Sequence, residues 1–396
     1  MHLILEGVRV IDLTQYQMGS VATQILADMG AEVIKIERLE GEPGRRIGPF
    51  SSKGISAYFQ AHNRNKKSVA IDLKHPKGKE VLYRLLAQAD VIAENFQRGV
   101  PEKLRVDYET VRKINSKLIY FTGSAFGLEG PMSKNLGYDS VGQAMGGIIS
   151  TIWSPPGQPS ALIGCPIVDQ TGGFLGALGI TLALFHRERT GEGQRVDVSL
   201  LGTGVALLNW VLQAFLFGGN LYRAKTRARI NMAGISSTHL AADKKPIVVQ
   251  VMKDKIEAYL KILGLDRFLA DSRFKLENMD HHADEVLMIL DEAFSKKDRE
   301  YWLSSFASAG IVAAPILDCD EVSQHPQVIA NKYVTEILHP REGIMKVLGF
   351  PVHFSETGNL LGAAPELGEH TDSVLSELVG YSVAEITELK KLRAIL

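Results

Sequence analysis

The strongest constraint on the fold lies in the first 125 residues, where short apolar runs alternate with amphipathic stretches. "VRVIDL" (8–13) reads as a buried strand, "TQYQMG" as a turn, "SVATQILADMG" as a helix and "EVIKIE" (32–37) as a second strand. The pattern then repeats: "KSVAIDL", a helix "HPKGKEVLYRLLAQA" with Pro76 near its start, and "DVIAENF". "SKLIYFTGS" supplies a further strand, and "GYDSVGQAMGGIIS" and "DQTGGFLGALGITLALFHRERTG" supply helices rich in small residues. Such alternation predicts an α/β fold with a mainly parallel sheet covered by helices. From about residue 225 to 330 charged helical stretches mark a second, smaller domain. The expected division is 1–224, 225–330 and a C-terminal segment 331–396, with a helix near its end where Ser382 and Glu385 have capping-box spacing.

At 396 residues the chain is too long for one core and long enough for two. Its 44 Lys plus Arg against 45 Asp plus Glu create no global field toward nucleic acid or an anionic membrane, so an anionic ligand needs local cations. The two cysteines, Cys165 and Cys319, argue for a reducing compartment and against both a disulfide framework and a four-ligand zinc site. No leader or membrane-spanning segment is read from the sequence, and the expected location is the cytoplasm.

In open α/β sheets ligands sit beyond the carboxyl ends of the strands, so a phosphate-binding loop belongs in the first turn. "TQYQMGS" carries one glycine, Gly19, and neither G-x-G-x-x-G nor G-x-x-x-x-G-K-[ST]. That weighs against nicotinamide, flavin and P-loop nucleotide readings. No H-E-x-x-H occurs, and the adjacent His281 and His282 point different ways on a helix, as a surface pair does, so no metal is expected. No G-x-S-x-G nucleophile elbow is present.

What the chain does hold is a lone carboxylate before a string of glycines, "CPIVDQTGGFLG" (165–176). The ordinary reading makes Asp169 the N-cap of a helix. Three features favour chemistry. Gly172, Gly173 and Gly176 each cost about 1 kcal/mol relative to Ala in a helix interior, which is reasonable if they leave room for a ligand. Pro166, Ile167 and Val168 would hold the carboxylate at an element's end. A partly desolvated carboxylate there can act as a covalent nucleophile in acyl transfer. Cys165 is the rival, read as a buried structural thiol because no His partner is near in sequence.

Taken together, "EGVRVIDLTQYQMG", "GAEVIKIER", "NRNKKSVAIDLKHPKGKE", "DVIAENFQRG", "GYDSVGQAMGG", "DQTGGFLGALGITLALFHRERTGEGQRVDVSL" and "APELGEHTD" resemble the family III CoA-transferases, over nearly the whole chain. The resemblance implies a large Rossmann-like domain formed by both ends of the chain, a smaller middle domain and an interlocked homodimer. It implies CoA, acyl-CoA and a carboxylic acid as substrates, and no tightly bound cofactor. It makes Asp169 the nucleophile, which passes through an aspartyl-acyl anhydride and an aspartyl-CoA thioester. Backbone N–H groups at the glycine-rich helix start would then meet the developing oxyanions.

By the same resemblance Gln17, Met18, Arg38, Leu73, Lys74, Asn95, Phe96, Lys103, Tyr138 and Asp139 are expected to contact CoA, with Tyr138 and Asp139 at the thioester end. For the basic positions the ordinary alternative is a solvated charge, and for Phe96 and Tyr138 it is core packing. The racemase branch of the family has "GHD", whose His shares acid/base work with the aspartate. Here "GYD" places Tyr138 there, and a tyrosine's usual pKa of about 10 suits proton abstraction poorly. Transfer is therefore favoured over racemisation or epimerisation. The remaining alternative is a non-catalytic CoA-binding subunit of a heteromer. Arg45, Arg46 and Arg64 are candidates for a second carboxylate on a dicarboxylate substrate, and "WSPPGQP" (153–159) for a wall of the acyl pocket. The region "RARINMAGISSTHLAADKKPIVVQV" lacks the glycine run that closes over formyl-CoA transferase's site, which argues against oxalate as acceptor.

Overall fold

In the computed structural model, which describes residues 2–155, 157–219 and 224–396, six short strands run parallel through one sheet. They are β1 (Arg9–Asp12), β2 (Glu32–Glu37), β3 (Lys67–Ala70), β4 (Val91–Glu94), β5 (Ile119–Ser124) and β6 (Arg195–Ser199), in the order β3-β2-β1-β4-β5-β6. That order is the doubly wound one, with its switch point between β1 and β4. The connecting helices are α1 (Met18–Asp28), α2 (Ala57–Asn63), α3 (Pro76–Leu86), α4 (Val100–Leu104), α5 (Tyr108–Ile114), α6 (Asp139–Met145), α7 (Ile167–Thr190) and α8 (Leu200–Leu208).

Because successive strand residues face opposite ways, the apolar strands feed two cores. Ile11, Ile34, Ile36 and Ile92 pack with Val81 and Leu82 of α3 on one face. Val10, Val33, Val91 and Phe121 pack with Leu26 of α1 and Ile180 of α7 on the other. The C-terminal stretch returns to the first face, where a helix at Thr371–Val379 packs on α3 and β3 and Ile395 bridges to Ile71.

Two compact units result. One comprises the residues up to Ile148 together with Ile163–Asn209 and Ile329–Leu396; the other comprises Ile149–Leu162 and Trp210–Val328. Residues 220–223, inside the expected 1–224 segment, lie outside the described residues. The second unit holds an antiparallel sheet of β7 (Arg229–Asn231), β8 (Gly234–Leu240), β9 (Pro246–Met252) and β10 (Val312–Pro315), in the order β10-β9-β8-β7. Trp153–Pro155 and Gly157–Pro159, read from sequence as a wall for an acyl group, belong to this unit, and Pro156 lies outside the described residues.

The glycines of α7 act differently from the sequence-based expectation. A Cβ on Gly172 would lie 2.7 Å from Met18 Sδ, one on Gly173 2.5 Å from Val21 Cγ1, and one on Gly176 2.9 Å from Phe121. They let α1 and β5 approach α7 closely and leave no space for a ligand. The opposite side of α7 exposes Phe174, Leu178, Leu182 and Phe185, each 50–58% accessible. By length and composition this helix could cross a bilayer, yet its glycine side forms the core of a parallel-sheet unit.

Candidate active site

A cavity of about 430 Å³ opens at the carboxyl ends of the strands, between the segments that follow β1 and β4. This is the switch point, where the divergence of two chain paths leaves a crevice that no connection fills. Gln15, Tyr16, Gln17 and Met18 line it after β1, Arg38 after β2, Glu94, Asn95 and Phe96 at the end of β4, and Gly123–Ala125 at the end of β5. Tyr138 and Asp169 complete the same wall.

The turn after β1 contains no phosphate loop because side chains hold its backbone. Asp12 Oδ1 accepts from the Thr14 N–H at 2.9 Å, and Lys35 Nζ donates to the Thr14 carbonyl at 2.8 Å. Asn95 accepts from the Gln15 N–H at 2.8 Å and donates to the Gln15 carbonyl at 2.7 Å, and Glu42 accepts from the Tyr16 N–H at 3.1 Å. Five successive backbone groups are thus fixed, which maintains Tyr16 at φ 60, a conformation ordinarily costly for a bulky residue. Gly19 is obligatory here, since a Cβ would sit 2.6 Å from Thr14 Cγ2. Asn95→Ala removes two partners at once and is expected to lower stability by about 1–3 kcal/mol in urea denaturation.

Beneath the turn lies a buried charge cluster. Lys66 Nζ donates to Asp12 at 2.9 Å, to the Ser20 carbonyl at 3.0 Å and to Asn63 at 2.9 Å. Burial works to raise the pKa of Asp12, but Lys66 and Lys35 beside it, with the Thr14 hydroxyl, hold it down to about 2. Burial pushes Lys66 down to about 8, against the pull of Asp12.

Asp169 occupies the third position of α7, so it is not the N-cap; Pro166 holds that place and has no side-chain acceptor. The acceptor is supplied by Asp139, the first residue of α6, whose Oδ1 receives the N–H groups of Val168 at 2.8 Å and Asp169 at 3.1 Å. The N–H of Met18, the first residue of α1, favours the charged form of the Asp169 carboxyl. Burial, aided by the neighbouring charge of Asp139 and opposed by the Met18 N–H, raises its pKa to about 7. A desolvated carboxylate half ionised at neutral pH, at the positive end of α1 and facing a cavity, is suited to nucleophilic or proton-transfer chemistry.

Of the residues expected at this site, Gln17, Met18, Arg38, Asn95, Phe96, Tyr138 and Asp169 share the cavity. Leu73 packs against the core, Lys74 and Lys103 are exposed, and none of these three is among the lining residues; nor is Asp139, which serves α7. Asn95 commits both ends of its amide to Gln15. Tyr138 is 63% exposed, so it is not a core residue, and its ring meets Tyr16 edge-on.

Two further expectations are corrected. Cys165 is exposed rather than buried. Arg64 is buried in a paired contact with Asp28 at 3.0 and 2.7 Å, and Arg45 grips Glu37 at 2.7 and 2.6 Å, so neither guanidinium is free for a substrate carboxylate. Arg46 donates to the Glu40 carbonyl, outside the cavity lining. Sequence reasoning missed Arg98, Arg195 and Glu94 in the cavity wall. Burial raises Glu94 to about 7, although the Thr122 side chain and the Phe96 N–H stabilise its charged form. The only forewarning was its place at a strand's carboxyl end.

In the second unit Ser237, His239 and Asp291 line up as in a hydrolytic relay, with Ser237 Oγ 2.8 Å and Asp291 2.7 Å from the ring nitrogens of His239. Ser237 and His239 are only 2% and 3% exposed, and the imidazole stacks on Phe294 at 4.2 Å. Burial lowers the pKa of His239, and the solvent-shielded imidazole, stacked on Phe294, serves as an internal strut.

Comparison with known proteins bears on the cavity's chemistry. The family model described as CoA-transferase family III matches residues 5–371. The chain is 32% identical to the succinyl-CoA:glutarate CoA-transferase of Homo sapiens, over 97% of this chain and 88% of the human one. It is 34% identical to the acetyl-CoA:oxalate CoA-transferase of Acetobacter aceti, over 94% and 95% of the two chains. A crystal structure of a CAIB/BAIF family protein from Brucella suis superposes with a TM-score of 0.86 at 30% identity, covering 96% of this chain and all of the other.

Proposed function

The chain belongs to CoA-transferase family III, and on that premise we propose that Asp169 carries CoA between an acyl-CoA and a free carboxylic acid. The Asp169 carboxylate attacks the thioester carbonyl carbon, the C–S bond breaks, and CoA thiolate departs from an aspartyl-acyl anhydride. The thiolate then attacks the aspartyl carbonyl, releasing the donor acid and leaving an aspartyl-CoA thioester. The acceptor carboxylate attacks that thioester and expels thiolate, which finally takes the new acyl group and frees Asp169.

The observation that carries this reading is Asp169 itself, desolvated and set in the wall of the switch-point cavity. A carboxylate with a raised pKa is more basic, and so more nucleophilic, once ionised. The Met18 N–H, which favours the charged Asp169 carboxyl, is the donor we assign to negative charge developing there. Arg38 and Arg98 supply cations for the phosphates of CoA, and Arg195, half-exposed and held to Asp197 through Nε alone, keeps its terminal nitrogens for the same task. With Arg45 and Arg64 held in internal pairs, a dicarboxylate substrate would need other cations to recognise its second carboxylate.

The exposed apolar side of α7 supports a homodimer in which a second copy covers that face, and a monomeric mass in solution would remove this part of the proposal. Two exposed thiols in a chain of this composition accord with a reducing, cytoplasmic setting.

The function is tested by mass spectrometry of CoA thioesters after incubation in D₂O with a panel of acyl-CoAs and free acids. New thioesters of the added acids are expected. Deuterium at the α-carbon without exchange would replace transfer by racemisation, and no reaction across the panel would favour a heteromeric subunit.

A further inference from the structure

α6 reaches the start of α7 because Gly142 has no side chain: a Cβ there would lie 2.9 Å from Leu200 Cβ and 3.0 Å from Val168 Cγ1. That approach brings Asp139 to the first turn of α7, which Pro166 leaves without a cap of its own. The buried Gln143 fixes the other Asp139 oxygen by donating to Oδ2 at 2.6 Å, and is itself anchored by accepting from the Ile163 N–H at 3.1 Å. From this geometry we infer that Asp139 is the positioning residue of Asp169, one carboxylate serving both to cap the helix that carries Asp169 and to set a like charge beside it. The inference rests on Asp169 being the reacting group.

The two tasks are separable. Capping orients Asp169, because the N–H that Asp139 receives at 3.1 Å is that of Asp169 itself. The charge makes ionisation of Asp169 harder and so adds to what burial does. The other elements against α7 bring little to compete. α8 has no titratable residue, and α1 ends in Asp28, which is paired with Arg64 far from Met18. β5 offers Tyr120, and β6 offers Arg195 and Asp197, which pair with each other at 3.2 Å. Tyr58 of α2 feels the Asp169 charge, which adds to burial in opposing its own ionisation.

Asp139→Asn keeps an acceptor for both N–H groups and removes the charge, at the cost of setting its amide NH₂ against the Gln143 donor, and Asp139→Ser, also a good helix cap, is the second variant that lacks this conflict. The acid limb of kcat/KM against pH is expected to move down by roughly one unit in either neutral capping variant. Asp139→Ala, lacking the cap as well, is expected to lose tenfold or more in kcat with a smaller change in KM. A purely structural Asp139 would leave the midpoint where it is. The same titration is read without turnover from the ¹³C carboxyl signal of Asp169 in Asp-labelled protein, assigned by its loss in Asp169→Asn. A downward shift of that signal supports the inference even if no CoA transfer is found, whereas an unmoved signal overturns it whether or not the protein transfers CoA.

Discussion

Asp169→Ala is expected to reduce CoA transfer by about 10³-fold or more, because on the proposed route both the anhydride and the CoA thioester form on the Asp169 carboxyl itself. Binding of CoA, measured calorimetrically, is expected to stay within about threefold, since the cations and the turn after β1 are untouched. In the parent the rate must climb with pH up to about 7 and level off above it, because only the ionised carboxylate attacks and its pKa is raised to about 7. Asp169→Asn adds a thermodynamic signature. Between the unfolded value of 3.8 and about 7 the folded state binds the proton more tightly, so the parent loses stability as pH rises through that window. The neutral variant escapes this and is expected to be more stable by about 0.5–2 kcal/mol at pH 8, with the difference vanishing near pH 3. Retained turnover in Asp169→Ala would remove the anhydride mechanism; equal stability at pH 8 would remove the account of the carboxyl's environment.

Asp12→Asn is expected to produce the largest loss of stability, about 3–5 kcal/mol in denaturant unfolding. Asp12 is fully buried against Lys66 at 2.9 Å and Lys35 at 4.0 Å, and it also accepts from Thr14 and Thr23. Neutralising it leaves an excess of buried positive charge. The acid behaviour follows from the same group. A carboxyl held at about 2 stabilises the fold fully above its unfolded value of 3.8, and that contribution disappears as pH falls from 3.8 through 2. The parent should therefore show a stability decline in this window that the variant lacks. A variant as stable as the parent would mean that the cluster does not support the carboxyl end of β1 beneath the turn.

The strands were readable because burial on both faces requires apolar runs: β2 occupies the limits of "EVIKIE". β3 stops at Ala70, short of "KSVAIDL", because the chain turns where Asp72 accepts from the Lys74 N–H. The capping box of Ser382 and Glu385 was legible because both partners are local. The glycines of α7 were misread as open space because the atoms that crowd them, on Met18, Val21 and Phe121, are 50 or more positions away in sequence. The clamp on the turn after β1 was illegible for the same reason, its partners coming from Lys35, Glu42 and Asn95. Arg45 and Arg64 were open candidates until Glu37 and Asp28 were seen to hold them. Gathering Gln17, Arg38, Asn95 and Asp169 at one cavity required the resemblance as well as the pattern, since no local spacing relates them.

The exposure of Cys165 bears on how chemical probes of this protein are to be interpreted. The chain has two cysteines, both exposed, and one stands four residues before Asp169. An alkylating reagent attached there brings bulk to the start of α7, so inactivation by maleimides would not by itself identify a thiol mechanism. In a Cys319→Ser background the same thiol becomes a unique labelling position just before α7.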